Sequence, residues 1–219
     1  MGKIKNKETP ADVYEWVYFS RAYLMLAYWG SDKLYESIAK GIKNYPFEEI
    51  VPNLMVEDNY VLAPILYNMK HAIEIFIKTL FLFSGIEPDY KHDLSSLFKH
   101  IKIKIKKLIN WKKLTDLETI IKKYYECEII KNKIKKDLVI NDCSNDVFRY
   151  PRNMAYVSLD FSKIFSKFTK KDVSMLRKDI KKLDRLFYDV GMAVMKQKIN
   201  SAEEDLILIK KHPSVIGKL

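Results

Sequence analysis

Imidazole, carboxylate and ammonium groups interrupt one otherwise apolar stretch of the chain, Leu66–Phe83 (LYNMKHAIEIFIKTLFLF). The polar members are Asn68, His71, Glu74 and Lys78. At about 100° per residue, a helix gathers these four within roughly one third of its circumference. Ile73, Phe76, Ile77, Leu80 and Phe81 cover most of the rest. A helix apolar on nearly every side belongs in a core, where a polar group must find a partner or destabilise the fold. The stripe therefore either lines a cleft or is locked into a hydrogen-bond network. His71, and His92 in the following loop, are of the residue type that suits general acid–base work without special tuning. The plainer reading makes His71 a satisfied core histidine and His92 a helix-cap partner. His100 and His212 are expected at the surface.

A second cluster is Asp146–Asn153 (DVFRYPRN), where Arg149 and Arg152 stand three apart in a chain whose cations are mostly lysine. The guanidinium fork suits phosphate or carboxylate bidentately. Pro151, with Phe148 and Tyr150 beside it, would fix the backbone and preorganise the arginines. Alternatively Arg149 pairs with Asp146 or with an acid on a core helix, as a structural pin. The candidate binding set is Asn68, Glu74, Lys78, Arg149, Arg152 and Asn153. The catalytic candidates are His71, His92 and Arg149.

These groups must be positioned by helices. Val13, Trp16, Val17, Tyr23, Leu24 and Ala27 keep helical spacing, and Leu34, Tyr35, Ile38 and Ile42 resume it after an expected interruption at Gly30-Ser31. Tyr45-Pro46 and Val51-Pro52 bracket a connector, because proline disfavours helix in the residue before it. The central helix is expected to begin near Val56–Tyr60, with Pro64 in its first turn, and to stop at Ser84-Gly85. His92 or Asp93 caps the next helix, whose inward face is Leu94, Leu97, Phe98, Ile101, Ile105 and Leu108. Residues 101–105 also alternate like a strand, but the longer window favours helix.

A further helix is predicted over Leu114–Lys136, and an irregular or partly extended insert over 139–160. The last helix covers 171–199, with Val173, Leu176, Ile180, Leu183, Phe187, Val190 and Val194 in heptad order. That seam suits another helix, within the chain or across a dimer. The fold class is all-α, an antiparallel helical bundle. The domain covers 11–199, between a frayed N-terminus at 1–10 and a weakly specified tail at 200–219.

The formal charge of +11 and a pI near 9.3 invite a polyanion such as RNA. Lysine enrichment through compositional bias would give the same excess. Lys99–Lys113 and Lys131–Lys136, with Trp111 nearby, form either a phosphate-tracking face or a plain solvated one. Cys127 and Cys143 have no metal-type spacing, so no metal and no cofactor are expected. The N-terminus does not read as a secretory signal, so a cytoplasmic location is expected. Lys70, His71, Glu74 and Lys78 make membrane insertion of the 61–83 run expensive.

Together these segments resemble the HEPN superfamily of nucleotide-binding helical domains. The resemblance rests on Lys70, His71, Glu74 and Lys78 within YNMKHAIEIFIKTLFLFSG, and on His92-Asp93-Leu94 after it. Phe148-Arg149-Tyr150-Pro151 comes next, then a short extended piece at Tyr156–Leu159 and a final helix. Similar segments occur in that order in one branch of the superfamily, and the match spans roughly 11–199. Many HEPN proteins are RNases that dimerise and place an Arg and a nearby His in a shared cleft. Here neither Arg149 nor Arg152 has a His at that spacing.

The resemblance therefore implies a helical protein that binds RNA or a nucleotide-associated partner, in a defence or toxin–antitoxin type of system. The alternatives are a divergent metal-independent endoribonuclease using His71 or His92 with Arg149, and a structural module. Such a module would dimerise through the last helix and dock a nucleotidyltransferase-like protein. A homodimer is expected in either case.

Overall fold

The computed structural model describes residues 10–40, 44–46, 55–87, 92–105, 111–125 and 168–211. Among the described residues the chain forms five helices: α1 (Pro10–Lys40), α2 (Asp58–Phe83), α3 (Leu94–Ile105), α4 (Trp111–Tyr124) and α5 (Lys170–Lys211). Two short strands, β1 (Asn44–Pro46) and β2 (Met55–Glu57), make an antiparallel ribbon between α1 and α2, with Tyr45 opposite Val56. Pro46 closes β1, as befits a residue without an amide donor. The fold class is the expected all-α bundle.

Helix α2 is its centre. Leu66, Met69, Ala72, Ile73, Phe76, Ile77, Leu80 and Phe81 are all buried, against both α1 and α5. Tyr23 of α1 meets His71, and Gly30 meets Ile65, so these two helices run antiparallel. Arg21–Asp184 and Asp32–Arg177 set α5 antiparallel to α1 in the same way. Phe76 and Phe187 stack at 3.9 Å between ring centroids, joining α2 to α5. Leu94, Leu97, Phe98, Ile101 and Ile105 are the inward face of α3, so the alternation at 101–105 belongs to a helix.

The expected interruption at Gly30-Ser31 is absent, and α1 runs through both residues. Ser31 is buried and donates its hydroxyl to the Tyr28 carbonyl at 2.8 Å, which satisfies it within the helix. A Cβ at Gly30 would lie 2.8 Å from Ile65 Cγ1. The glycine therefore marks a close helix crossing rather than a break. Pro64 lies in the second turn of α2, not the first. Its carbonyl accepts the Asn68 side-chain amide at 2.9 Å.

Helix α2 ends as its sequence indicates. Gly85 takes φ +68°, its amide bonds the Leu82 carbonyl, and the Ile86 amide bonds Phe81, which is a Schellman stop. Asp93 caps α3 by accepting the Ser96 amide at 2.7 Å.

Helix α5 continues past the predicted boundary at 199 to Lys211. Its seam from Val173 to Val190 is buried inside this chain, so those residues do not form a dimer contact. Ion pairs fasten α4 along it: Lys113–Asp189 at 2.8 Å, Asp116–Lys182 at 2.9 Å, and Lys123–Asp179. Tyr124 donates to Asp179 at 2.7 Å, and burial, with Asp179 beside it, holds the phenol far above its ordinary pKa. The helix expected over Leu114–Lys136 is α4 as far as Tyr124. Leu108, the part of that helix expected from 126 to Lys136, and the insert at 139–160 lie outside the described residues.

Replacing Gly30 by Ala should lower the melting temperature. Overpacking at Ile65 outweighs the gain of about 1 kcal/mol in helix propensity. A variant as stable as the parent would show that the two helices separate without strain.

Glu118 of α4 reaches α3 through Lys102 at 2.5 Å and pairs within its own helix with Lys122 at 3.0 Å. Both cations, Lys102 first, hold its carboxyl below the usual range. The unfolded chain therefore binds the Glu118 proton more readily than the folded one. The stabilisation is complete above the unfolded pKa and is lost as pH falls through the lower folded value. Glu118→Gln should melt below the parent at neutral pH, and the two curves should converge in acid. Parallel curves at all pH values would exclude the linkage.

Candidate functional site

The polar stripe of α2 divides among three surroundings. Asn68, on one flank, is occupied by the Pro64 carbonyl. The His71 ring lies edge-on to Tyr23 at 4.5 Å and stacks on Tyr67 at 5.8 Å. Glu74 and Lys78 turn instead toward the loop before α3. The Glu74 side chain is 3% exposed, and its Oε1 accepts Lys78 Nζ at 2.6 Å. The same oxygen meets His92 Nδ1 at 2.8 Å. Glu74 Oε2 is buried with no hydrogen-bond partner among the described residues.

Between the two alternatives, a cleft or a locked network, Glu74 and Lys78 answer for the network. A carboxylate oxygen only accepts, so the contact uses the His92 tautomer with Nδ1 protonated, which leaves Nε2 as the ring's other nitrogen. His92 itself is 55% exposed, so this dyad reaches solvent through its imidazole. Asp93 holds the imidazole there by anchoring the start of α3 immediately after it.

Lys70, one turn before Glu74, is fully buried, with its Nζ 5.7 Å from the centre of the Tyr125 ring. Tyr125 in turn donates to the Leu66 carbonyl at 3.0 Å. Lys70 stands at helical spacing from buried Leu66, Ile73 and Ile77, on the apolar side of the helix, and the arrival of Tyr125 after α4 gives it aromatic cover. Arg149, Arg152 and Asn153 lie outside the described residues.

A second polar surface was missed by sequence reasoning. Tyr35, Lys170, Lys171, Ser174, Met175 and Lys178 line an open groove of about 480 Å³ between the end of α1 and the start of α5. Thr169 caps α5 with its hydroxyl toward the Asp172 amide, and Asp172 returns a bond to the Thr169 amide at 2.7 Å. The positive end of the helix macrodipole therefore adds to the lysines.

Lys170 Nζ stands 5.3 Å from the centre of the Tyr35 ring, and the Arg177 guanidinium 4.6 Å from it. Arg177 also pairs with Asp32, while its buried Nε has no hydrogen-bond partner among the described residues. Further along, Lys181 lies over Tyr28 at 5.0 Å. Lys181, and after it Arg177, pull the Tyr28 hydroxyl below the ordinary phenol pKa. Lys171, Ser174 and Lys178 at helical spacing were a readable signal for one edge of this groove. Tyr35 comes from the other end of the sequence and was not.

None of the described helices is long and apolar enough to cross a membrane. The described residues contain no group of three or more His, Cys, Asp or Glu able to hold a metal ion. No protein-family model, no curated protein and no solved structure matches the chain.

Glu74→Ala removes the shared acceptor and leaves Lys78 confined without its carboxylate. It should destabilise the fold by about 3 kcal/mol. His92→Ala, at the exposed end of the dyad, should lower stability by about 1 kcal/mol or less. Denaturant titration measures both, and equal losses would show that the imidazole is as integral to the core as the carboxylate.

Proposed function

We propose that this chain is a HEPN-like helical protein that binds single-stranded RNA, or a partner presenting nucleotides, within a defence or toxin–antitoxin type of system. The basic groove around Tyr35 carries the reading. A phosphate chain needs closely spaced cations, and an unstacked base needs an aromatic face. Lys170, Lys171 and Lys178 supply the first beside Tyr35, which supplies the second. The net charge of +11 adds a long-range attraction for any polyanion. The HEPN resemblance of the segments from Lys70 to Leu94 agrees with a nucleotide ligand. A cytoplasmic site of action and a nucleotidyltransferase-like partner belong to the same reading.

The Glu74–His92 dyad favours a second reading, a divergent metal-independent endoribonuclease. With Nδ1 held by Glu74, His92 Nε2 accepts a 2′-hydroxyl proton while the 2′-oxygen attacks the adjacent phosphorus, and the 5′-oxygen departs with a proton taken from water. Glu74 stabilises the imidazolium that forms, as the acid of a histidine–carboxylate pair does. Arg149 is the candidate for the charge on phosphorus in that reading.

One set of proteins tests both readings. The parent should bind labelled single-stranded RNA with an affinity that falls steeply as salt rises. Lys171→Gln combined with Lys178→Gln should reduce the salt slope by about 0.7 for each phosphate that is no longer neutralised. An affinity indifferent to salt would exclude the groove as a phosphate-tracking surface. Cleavage by the parent that disappears in His92→Ala and Arg149→Ala supports the nuclease. Equal cleavage by all three proteins, or none by any, removes it.

A further inference from the structure

Helix α1 has a second apolar face, turned away from the one it packs on α2. Its central row is Glu15, Phe19, Ala22, Leu26, Trp29 and Lys33, spaced four, three, four, three and four residues apart. All six are exposed, with Phe19 at 62%, Leu26 at 49% and Trp29 at 56%. Tyr18 and Met25 flank the row and are about half exposed as well. A shallow groove lined by Tyr18 and Arg21 continues the surface to Tyr188 and Met192 of α5. Single exposed apolar residues are ordinary, but a contiguous patch of this extent marks an interaction site.

The order of residues along the row says what fits it. Read in either direction, it runs from a charge through an aromatic ring to a small or aliphatic centre, and the charges at its two ends have opposite sign. A second copy of α1 laid antiparallel, about a two-fold axis near residue 24, would set Glu15 against Lys33, Phe19 against Trp29, and Ala22 against Leu26. Each pairing then occurs twice, as an isologous contact requires. A parallel copy would instead oppose like charges at both ends. The alternating steps of three and four are those of knobs-into-holes packing between helices.

We propose that this face of α1 is the surface on which a second copy of the chain docks, antiparallel and two-fold symmetric. The half-exposed aromatic and aliphatic side chains of the patch offer on the order of 800 Å² per subunit, the size of a standard specific interface. A groove of about 470 Å³, lined by Tyr18, Ala22, Met25 and Lys181 among others, runs beside the row. It offers a concave surface for side chains of the partner helix. The heptad seam of α5 is already buried against its own chain and does not compete for this role. The proposal does not depend on RNA binding by the groove around Tyr35.

Sedimentation equilibrium of the full chain at moderate salt tests it. The parent should be a dimer at low micromolar concentration. Trp29→Glu and Phe19→Glu should each be monomeric with unchanged helical circular dichroism, since both positions are exposed. Glu15→Lys alone and Lys33→Glu alone should each weaken self-association several-fold. An equimolar mixture of those two variants should associate as tightly as the parent, because every end pairing is complementary again.

Three outcomes would overturn the proposal. One is a parent that is monomeric at about 100 μM. Another is a dimer that persists in both Trp29→Glu and Phe19→Glu. The last is a mixture of charge variants no tighter than either alone, and that arm decides the matter even if a glutamate variant fails to fold.

Discussion

Burial of α2 is the constraint from which the rest of the arrangement follows. The helix is enclosed by α1, α3 and α5, so each polar group it carries needs a partner from another part of the chain or from its own turn. Asn68 finds its own backbone, and His71 lies among tyrosines. Glu74 takes Lys78 from its own helix and His92 from the next loop. Lys70 lies under the ring of Tyr125, which is itself tied to the α2 backbone. These contacts tie the loop before α3 and the residue after α4 to α2. The loop that delivers His92 is therefore part of the core's electrostatics as well as a connection.

Helix α1 meets a different constraint, because it has to serve two surfaces at once. Ser20, Leu24, Ala27 and Ser31 make a face of small and medium side chains that lets α2 approach closely. Gly30 completes that face at the point where no Cβ fits. Between the two faces, Arg21 and Asp32 reach α5 through Asp184 and Arg177, each a guanidinium paired with a carboxylate. The same tight crossing that hides one side of α1 leaves its large residues on the other. Aromatic and basic side chains along its α5 edge then interleave, from Tyr28 to Tyr35, and give the end of the bundle its cationic groove.

Much of the helical framework was legible in the residues themselves. The stop at Gly85, the cap at Asp93 and the inward faces of α3 and α5 are local features. They depend on residues within a few positions of one another, and pattern reasoning recovers them. The error at Gly30-Ser31 has a tertiary cause. Propensity, the basis for that expectation, ranks a residue against alanine in an isolated helix. In the fold, Gly30 answers to the helix that lies across it, and tertiary packing overrides a penalty of about 1 kcal/mol. The polar stripe of α2 is recognisable from sequence as a feature needing partners, yet not as one divided among three environments.

By itself, then, the sequence determined that this is an all-α chain, which stretch lies at its centre, and which charged groups that centre must accommodate. Periodicity encodes those properties because a helix repeats its geometry every few residues. Only the tertiary structure decided that Glu74 meets His92, that Lys70 is covered by Tyr125, and that Tyr35 stands beside Lys170 and Arg177. Such pairings join positions far apart along the chain. Their geometry is set by how whole helices pack, which no local spacing records.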